Sequence, residues 1–248
     1  MGNDPSEKTL GIVLKAVNYR DYDCISEIMT PSGKKTIIAK GVRKQTAKMK
    51  GAAQPFTYGE FVLYKKADRH TLTGYQFIDS FSPISDNVLK YACASVVLDI
   101  VDSFSFDSEE SRDVFFLALR AIHTIAYDDM PPLDCMVFFI LKLISLMGFA
   151  PSLDECVRCA STETEYFSVA DGGVVCENCF SPADIKVLKG TVLDMKRTFA
   201  WPAEDMKLIR YSGPVMANLA KIALMLIENL SEKQLKSVGF LKSMKLVG

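Results

Sequence analysis

The spacing of hydrophobic residues changes once along this chain of 248 residues, and that change limits the folds open to it. Before about residue 80, apolar residues stand in short alternating runs separated by turn residues. After residue 85 they recur every three to four positions, which is the period of an amphipathic helix. We therefore expect an α+β chain of two domains, with strands in residues 1–80 and helices in residues 81–248.

Five short strands are predicted in the first domain. The alternating runs cover residues 12–17, 24–30, 36–39, 58–64 and 72–78. The sequence Pro31-Ser32-Gly33 supplies a hairpin turn between the second and third runs. Five strands in about 70 residues favour a small closed barrel, which leaves no edge strand exposed. The oligonucleotide/oligosaccharide-binding (OB) barrel is the fold we expect.

The second domain is predicted to be all-α. Helix start signals lie at Ser85 or Asp86, at Asp107 with Glu110 at capping-box spacing, at Pro131-Pro132, and at Ser181-Pro182-Ala183-Asp184. Residues 214–230 are apolar on nearly every side, so we expect them to form a buried core helix.

Four cysteines form two close pairs with the pattern C-x2-C-x16-C-x2-C. They are Cys156, Cys159, Cys176 and Cys179, and the gap of 16 residues is long enough for a hairpin that brings the pairs together. Four thiolates complete a tetrahedron around Zn²⁺ and leave no position for water. We expect one structural zinc ion per chain, held in an insertion at about residues 153–181.

Two other interpretations of these cysteines remain open, namely redox-active dithiols and an empty vestigial site. A dithiol oxidoreductase would place its C-x-x-C at a helix N-terminus in a βαβ unit, and this sequence shows no such unit. The remaining cysteines, Cys24, Cys93 and Cys135, lie in apolar runs and are predicted to be small core residues.

Basic residues are concentrated in the first domain although the whole chain has a net charge of only −1. Residues 1–80 carry 13 basic and 8 acidic residues, whereas residues 81–248 carry 16 and 22. No acidic residue lies between Glu27 and Glu60, where seven basic residues occur: Lys34, Lys35, Lys40, Arg43, Lys44, Lys48 and Lys50. This asymmetry predicts contact with DNA or RNA.

Tyr58 and Tyr64 share one face of the fourth predicted strand, so they are our candidates for stacking against bases. The alternative is that the lysines only solvate a loop and the tyrosines help to close the barrel.

Catalytic motifs are scarce, and we expect no enzymatic activity. The sequence contains no phosphate-binding loop, no G-x-G-x-x-G and no G-x-S-x-G. It has two histidines, His70 near a strand edge and His123 on a largely apolar helix, where a core or boundary position is expected.

Several local sequences, taken in order, resemble a known family. They are residues 11–15 (GIVLK), 39–44 (AKGVRK), 54–60 (QPFTYGE), 235–237 (LKS) and 240–241 (FL). Together with a basic barrel, a helical domain and an inserted four-cysteine site, they resemble the bacterial recombination mediator family RecO over nearly the whole chain.

The resemblance implies a non-enzymatic protein of DNA repair and homologous recombination. Members bind single- and double-stranded DNA, anneal complementary strands, and work with RecR to load RecA onto DNA coated by the single-stranded-DNA-binding protein (SSB). They engage SSB through its acidic C-terminal tail. In this chain we expect a groove in the helical domain to hold that tail, lined by apolar side chains and some of Lys233, Lys236, Lys242 and Lys245.

From the residues alone, an RNA-binding OB protein with a zinc ribbon is the alternative, but it leaves the long helical domain unexplained. The polar first eight residues do not form a secretion signal, and no apolar run reaches the ~20 residues that span a bilayer. We expect a cytoplasmic, nucleoid-associated protein with no membrane partner.

Overall fold

A computed structural model of the protein describes residues 6–67, 69–231 and 234–244. Its first five strands are β1 (Ser6–Tyr19), β2 (Asp23–Thr30), β3 (Gly33–Ala39), β4 (Tyr58–Lys66) and β5 (Arg69–Asp79). They form a closed barrel in the order β1-β2-β3-β5-β4, and β4 pairs back with β1. The predicted five-stranded OB barrel is confirmed, with strands longer than the sequence indicated.

The length of β1 allows the barrel to close. Its first half pairs with β4, from Ser6 to Ile12, and its second half pairs with β2. A register irregularity between Val13 and Lys15 bends the strand where it changes partners. On the other side, β3 and β5 close the barrel through a short parallel pairing.

The barrel has its own small core. Alternating residues of the strands point inward and are buried, among them Val13, Ile28, Ile37, Phe61 and Leu63. A short 3-10 helix, Lys50–Ala53, packs against this core through the buried Ala52.

Within the described residues, six α-helices follow the barrel. They are α1 (Val88–Ser103), α2 (Ser108–Tyr127), α3 (Pro132–Leu146), α4 (Lys189–Ala200), α5 (Gly213–Leu230) and α6 (Lys236–Ser243). The capping box of Asp107 and Glu110 is present at the start of α2, as predicted. Helix α5 packs one side into the core between Met216 and Ile227, but its other side is exposed at Lys221 and Asn229. The predicted cap of α1 was wrong, because Asn87 rather than Ser85 or Asp86 accepts the N–H groups of the first turn.

The helix predicted to start at Ser181-Pro182 does not form. One turn is capped as the pattern requires, since the carboxylate of Asp184 accepts the N–H of Ser181 at 2.7 Å. The chain then extends, because Ile185 pairs with Phe167 and becomes buried. It forms strand β8 (Ile185–Lys186) beside the hairpin of β6 (Tyr166–Ser168) and β7 (Gly173–Val175). Tertiary pairing therefore outweighs a complete local helix signal.

The barrel packs directly on the helical region. Ile12 and Met29 belong to the same buried cluster as the residues of α1, α2, α3 and α5. The Nζ of Lys15 lies 2.6 Å from a carboxylate oxygen of Asp102 at the end of α1. Among the described helices, none combines the length and apolarity needed to cross a membrane.

Candidate nucleic-acid interface and metal site

Three loops of the barrel meet around a cleft of about 610 Å³. They are the β1–β2 turn, the segment where β3 ends and the following loop begins, and the β4–β5 turn. The cleft is lined by Tyr19, Arg20, Asp23, Ile38, Lys40, Lys66, Ala67, Arg69 and Thr71. Residues that are up to about 50 positions apart in the sequence of the barrel thus line one surface.

Each of these loops contains a residue with positive φ. The values are 53° at Arg20, 64° at Gly41 and 51° at Ala67. Arg20 and Ala67 adopt this conformation although they are not glycine, which is uncommon. A left-handed residue turns the chain within very few residues, so the ends of the strands stay close to the cleft.

A second opening adjoins the cleft and shares Arg20, Asp23 and Lys40 with it. Hydrogen bonds fasten the β1–β2 turn to the segment after β3. The N–H of Gly41 donates to the carboxylate of Asp23 at 2.8 Å, and the N–H of Arg43 donates to the carbonyl of Tyr22 at 3.0 Å. We call the two openings together, with their shared residues, the barrel cleft.

The barrel cleft is electropositive. Five exposed cations line it: Arg20, Lys40, Lys44, Lys66 and Arg69. Within the described ranges, none of the five has an acidic group within salt-bridge distance. Asp23 is the acidic group in both openings, and Asp21 lies in the second. Cations without an internal partner are free to bind an external anion.

His70, at the start of β5, lies between the cleft residues Arg69 and Thr71 in the sequence but does not itself line the cleft. Its pKa lies below the usual value, first because of burial and then because of Lys35 and Lys65. Glu7 acts in the opposite direction but does not cancel these effects.

The basic residues predicted from sequence divide into two groups. Lys40, Arg43, Lys44, Lys48 and Lys50 are exposed, and two of them, Lys40 and Lys44, line the barrel cleft. Lys34 and Lys35 are instead half-buried and bound by other groups of the protein. Lys34 donates to the carbonyl oxygens of Asp102 and Phe104, and Lys35 forms an ion pair with Glu7 at 3.1 Å.

The two candidate tyrosines also differ. The ring centroid of Tyr58 lies 6.4 Å from that of Phe115 in α2, and burial raises the pKa of Tyr58. Its ring is therefore partly covered by the helical region. Tyr64 is 39% exposed on β4.

Sequence reasoning missed five residues of the barrel cleft: Tyr19, Arg20, Tyr22, Lys66 and Arg69. All five lie at or beside the two hairpin turns that flank the cleft. The available signal was the OB barrel itself, because in this fold the loops after the first and fourth strands flank the ligand site.

The four cysteines of the two pairs come together in the insertion between α3 and α4. Their Sγ atoms all lie within 4.8 Å of one another, and those of Cys159 and Cys176 are 3.5 Å apart. A tetrahedron with metal–sulfur bonds of about 2.3 Å has sulfur–sulfur edges of about 3.8 Å, so the donor set fits a tetrahedral metal ion.

The local fold explains this convergence. In each pair the second cysteine turns back, so that its N–H donates to the carbonyl of the first, at 3.3 Å for Cys159 and 3.1 Å for Cys179. The hairpin of β6 and β7 lies between the pairs and returns the chain to the first turn. The predicted hairpin and four-cysteine cluster are confirmed.

The thiols influence one another strongly. Burial raises the pKa of Cys156, but backbone N–H groups of Cys176, Arg158 and Cys159 outweigh this and lower it to about 6. The neighbouring thiols of Cys159 and Cys176 raise the pKa of Cys179 to about 12. Four thiolates this close repel one another, and a metal cation would compensate their charge.

Arg158 links separate segments of the insertion. Its guanidinium contacts Asp171 at 2.6 Å and Asp184 at 2.7 Å, and it donates to the carbonyl of Cys179. The guanidinium holds the pKa of both carboxyl groups below their usual range. Arg158, Asp171 and Asp184 therefore satisfy one another.

The helical region has a groove of about 360 Å³ along α2. Its lining combines the apolar Phe116 and Leu119 with two cations and two carboxylates, which are Arg120, Lys207, Asp128 and Glu204. His123 lines it as well and is exposed, so the predicted core or boundary position was wrong. The side chain of His123 makes an edge contact with Tyr127, at 5.1 Å between ring centroids.

Of the lysines expected to line a groove for the SSB tail, Lys236 and Lys242 do not line this one. Lys236 and Lys242 lie on α6, where Lys242 forms an ion pair with Glu228 at 2.8 Å. Lys233 and Lys245 lie outside the described residues.

Comparison with known proteins gives a consistent result over both regions. A family model described as the N-terminal part of recombination protein O matches residues 5–81, and one for its C-terminal part matches residues 85–238. The chain is 27% identical to the DNA repair protein RecO of Acetivibrio thermocellus, over 96% of each chain. It is 28% identical to the DNA repair protein RecO of Syntrophus aciditrophicus, over 100% of each chain.

Proposed function

The chain belongs to the RecO family of DNA repair proteins, and from this premise we propose that it acts as a recombination mediator without catalysing a reaction. It binds single- and double-stranded DNA in the barrel cleft and anneals complementary strands. With RecR it helps to load RecA onto DNA coated by SSB. Its place of action is the nucleoid in the cytoplasm.

The observation that carries the DNA-binding proposal is the set of cations in the barrel cleft that form no salt bridge within the described residues. Arg20, Lys40, Lys44, Lys66 and Arg69 come from three loops and surround one opening. Each cation that neutralises a phosphate releases condensed counterions, which favours binding without regard to base sequence. Such contacts suit a protein that must hold any two complementary strands.

The exposed segment after β3 extends this surface. Arg43, Lys48 and Lys50 follow Lys40 and Lys44 along the chain and are exposed like them. We infer that a strand leaving the barrel cleft continues along these residues. Lys34 and Lys35 are excluded from this role because their ammonium groups already bind Asp102, Phe104 and Glu7.

For the insertion we propose one structural Zn²⁺ per chain, held by Cys156, Cys159, Cys176 and Cys179. The set of four sulfurs is the donor set that zinc uses in closed structural sites. Because all four positions would be filled by protein, the ion would stabilise the fold and offer no position for a substrate.

The groove along α2 is our candidate for the acidic C-terminal tail of SSB. An acidic peptide that ends in apolar residues needs cations beside an apolar wall. The groove offers Arg120 and Lys207 beside Phe116 and Leu119, and its lining also includes the carboxylates Asp128 and Glu204. Lys142 and Leu146 extend the same lining at the α3 side.

The DNA-binding proposal is tested with a variant in which Arg20, Lys40, Lys66 and Arg69 are all changed to Gln. We expect the variant to lose most of its affinity for single strands and duplex, and to lose strand annealing. A matched control replaces the exposed Lys189 and Lys221 of the helical region by Gln and should bind like the wild type.

Unchanged DNA affinity in the cleft variant would overturn the assignment. Competition with RNA of the same sequence separates the proposal from an RNA-binding function, which would require RNA to bind more tightly than DNA.

A further inference from the structure

We propose that Tyr19 and Tyr22, at the tip of the β1–β2 hairpin, stack against unpaired bases and make the barrel cleft favour single-stranded over duplex DNA. This inference rests on the proposed DNA-binding function. The two aromatic rings would give the preference for single strands. The cations would give the affinity that single-stranded and duplex DNA share.

Both rings are accessible at the right place. Tyr19 lines the first opening of the barrel cleft and is 36% exposed, and Tyr22 lines the second and is 54% exposed. A tyrosine ring exposed to this degree leaves a large apolar surface in water, and stacking on a base would cover it.

Each ring is accompanied by a cation. The guanidinium carbon of Arg20 lies 5.1 Å from the ring centroid of Tyr19, and the Nζ of Lys44 lies 5.7 Å from that of Tyr22. These distances are within the range of cation–π attraction. A nucleotide at either ring therefore meets an aromatic surface for its base and a positive charge for its phosphate.

The hairpin tip is held in position before any ligand binds. The carbonyl of Tyr22 accepts the N–H of Arg43, and the following residue, Asp23, accepts the N–H of Gly41. Tyr19 pairs with Asp23 at the end of the β1–β2 ladder. Because the rings are carried by a fixed turn, little conformational entropy is lost when a base stacks on them.

The forms of DNA differ in what they offer to these rings. A single strand exposes the faces of its bases, which aromatic side chains can cover whatever the sequence. In a duplex the base faces are already stacked on one another, so only the phosphates remain for the cations. The rings therefore contribute to binding of single strands alone.

Other tyrosines are placed less well for this role. Tyr58 is partly covered by Phe115, and the ring of Tyr91 contacts Phe56 at 5.6 Å between centroids. In the part of the chain that the structure describes, no cation lies over the ring of Tyr64.

The test measures the affinity of a Tyr19→Leu/Tyr22→Leu variant for three probes by fluorescence anisotropy at one salt concentration. The probes are an oligothymidylate, an oligonucleotide of equal length made of abasic sites, and a duplex. We expect a loss of about five-fold or more on the oligothymidylate, and less than about two-fold on the other two. Tyr91→Leu, the matched control in the helical region, should change none of the three.

Two further variants make the result unambiguous. Tyr19→Phe/Tyr22→Phe retains both rings and should retain the preference for single strands. Lys66→Gln/Arg69→Gln should lose similar affinity for all three probes, because it removes phosphate contacts. Thermal unfolding of each variant shows whether it is folded.

An equal loss on oligothymidylate and abasic strand, or no loss on either, would overturn the stacking role. A Phe variant that loses as much affinity as the Leu variant would overturn it too. Failure of the wild type to bind any of the three probes would instead refute the proposed DNA-binding function, so the two failures are distinguishable.

Discussion

The barrel cleft and the four-cysteine insertion both concentrate charged or ionisable groups, but they use them in opposite ways. In the insertion the guanidinium of Arg158 is bound by Asp171 and Asp184, and the thiols face one another. In the cleft, cations from three loops stand together with no salt-bridge partner in the described chain. Paired groups stabilise a local fold, whereas unpaired groups of one sign are available to a ligand.

The same contrast occurs within the barrel. Lys34 and Lys35 belong to the basic stretch of the sequence, yet their ammonium groups bind the protein itself. Lys40 and Lys44, a few residues later, are exposed at the cleft and form no salt bridge in the described part of the chain. Position in a basic segment therefore does not determine whether a lysine binds DNA.

Removing a metal ligand should have the largest effect, and it should be confined to the insertion. Binding of structural Zn²⁺ contributes about 10–16 kcal/mol to folding of small zinc sites. We expect Cys176→Ser to lose the metal and to unfold the insertion, while DNA affinity through the barrel cleft is retained. Elemental analysis and hydrogen exchange measure the two effects.

In the wild type the elemental analysis should find one zinc ion per chain. A metal-free wild-type protein with a fully protected insertion would refute the structural zinc. A loss of DNA affinity in a Cys176→Ser variant whose barrel stays protected would show that the two regions are not independent.

Removing the positive charges of the exposed segment after β3 should have the next largest effect. This effect should appear in DNA binding rather than in stability. The variant changes Lys40, Arg43, Lys44, Lys48 and Lys50 to Gln. Five phosphate contacts on a single strand correspond to a log–log salt slope of roughly −3.5, at about −0.7 per contact. We expect the slope to become shallower by up to that amount, with a melting temperature within about 5 °C of the wild type.

Because phosphate contacts carry no base information, the loss should be similar for strands of different sequence. If the slope did not change, the segment would be a solvated loop, and DNA binding would have to depend on the hairpin cations Arg20, Lys66 and Arg69.

Lys34→Met should produce the opposite pattern, a change in stability without a change in binding. Lys34 binds carbonyl oxygens of Asp102 and Phe104, and its loss leaves them without this donor. Such a loss costs about 1–3 kcal/mol when the groups are buried, and less here because the site is partly exposed. We expect denaturant unfolding to show a free energy of unfolding lowered by about 1 kcal/mol or less. The salt slope of DNA binding should stay the same. A shallower salt slope would place Lys34 at the DNA after all.

These contrasts explain which features the sequence could predict. The barrel strands follow from alternation of apolar residues, and the cysteine cluster follows from spacing, since both signals are local. Arg20 and Arg69 are far apart in the chain and meet only when β3 pairs with β5, so a count of charge along the sequence misses their association. The same count of charge includes Lys35 among the candidate DNA-binding residues, because the sequence does not show that Lys35 pairs with the distant Glu7.

The helix predicted at Ser181 shows a different reason for failure. Its capping hydrogen bonds do form, but burial of Ile185 against β6 redirects the chain after a single turn. Local patterns predict local hydrogen bonds well, and they fail where a competing tertiary contact buries an apolar side chain.

The smallest expected effect concerns His70, which directly follows the cleft residue Arg69. Burial first, and then Lys35 and Lys65, hold its pKa below 6.5. The unfolded chain therefore binds a proton more readily than the folded protein. The stabilisation from neutral His70 is complete above about pH 6.5 and is lost as the pH falls from there through the folded-state pKa.

Bound DNA should partly reverse this depression. Phosphates held by Lys66 and Arg69 bring negative charge close to His70, which follows Arg69 directly, and so favour the imidazolium. We expect the pKa of His70 to rise when DNA binds at about 0.1 M salt, and screening over about 10 Å keeps this rise small. NMR titration of the ring proton with and without a single strand measures the change, with the signal of His123 in the helical region as the reference that DNA should leave unmoved. A fall in the pKa of His70 on DNA binding would mean that the strand only buries the imidazole further and that the phosphates lie elsewhere. The DNA would then not bind at the β4–β5 side of the cleft.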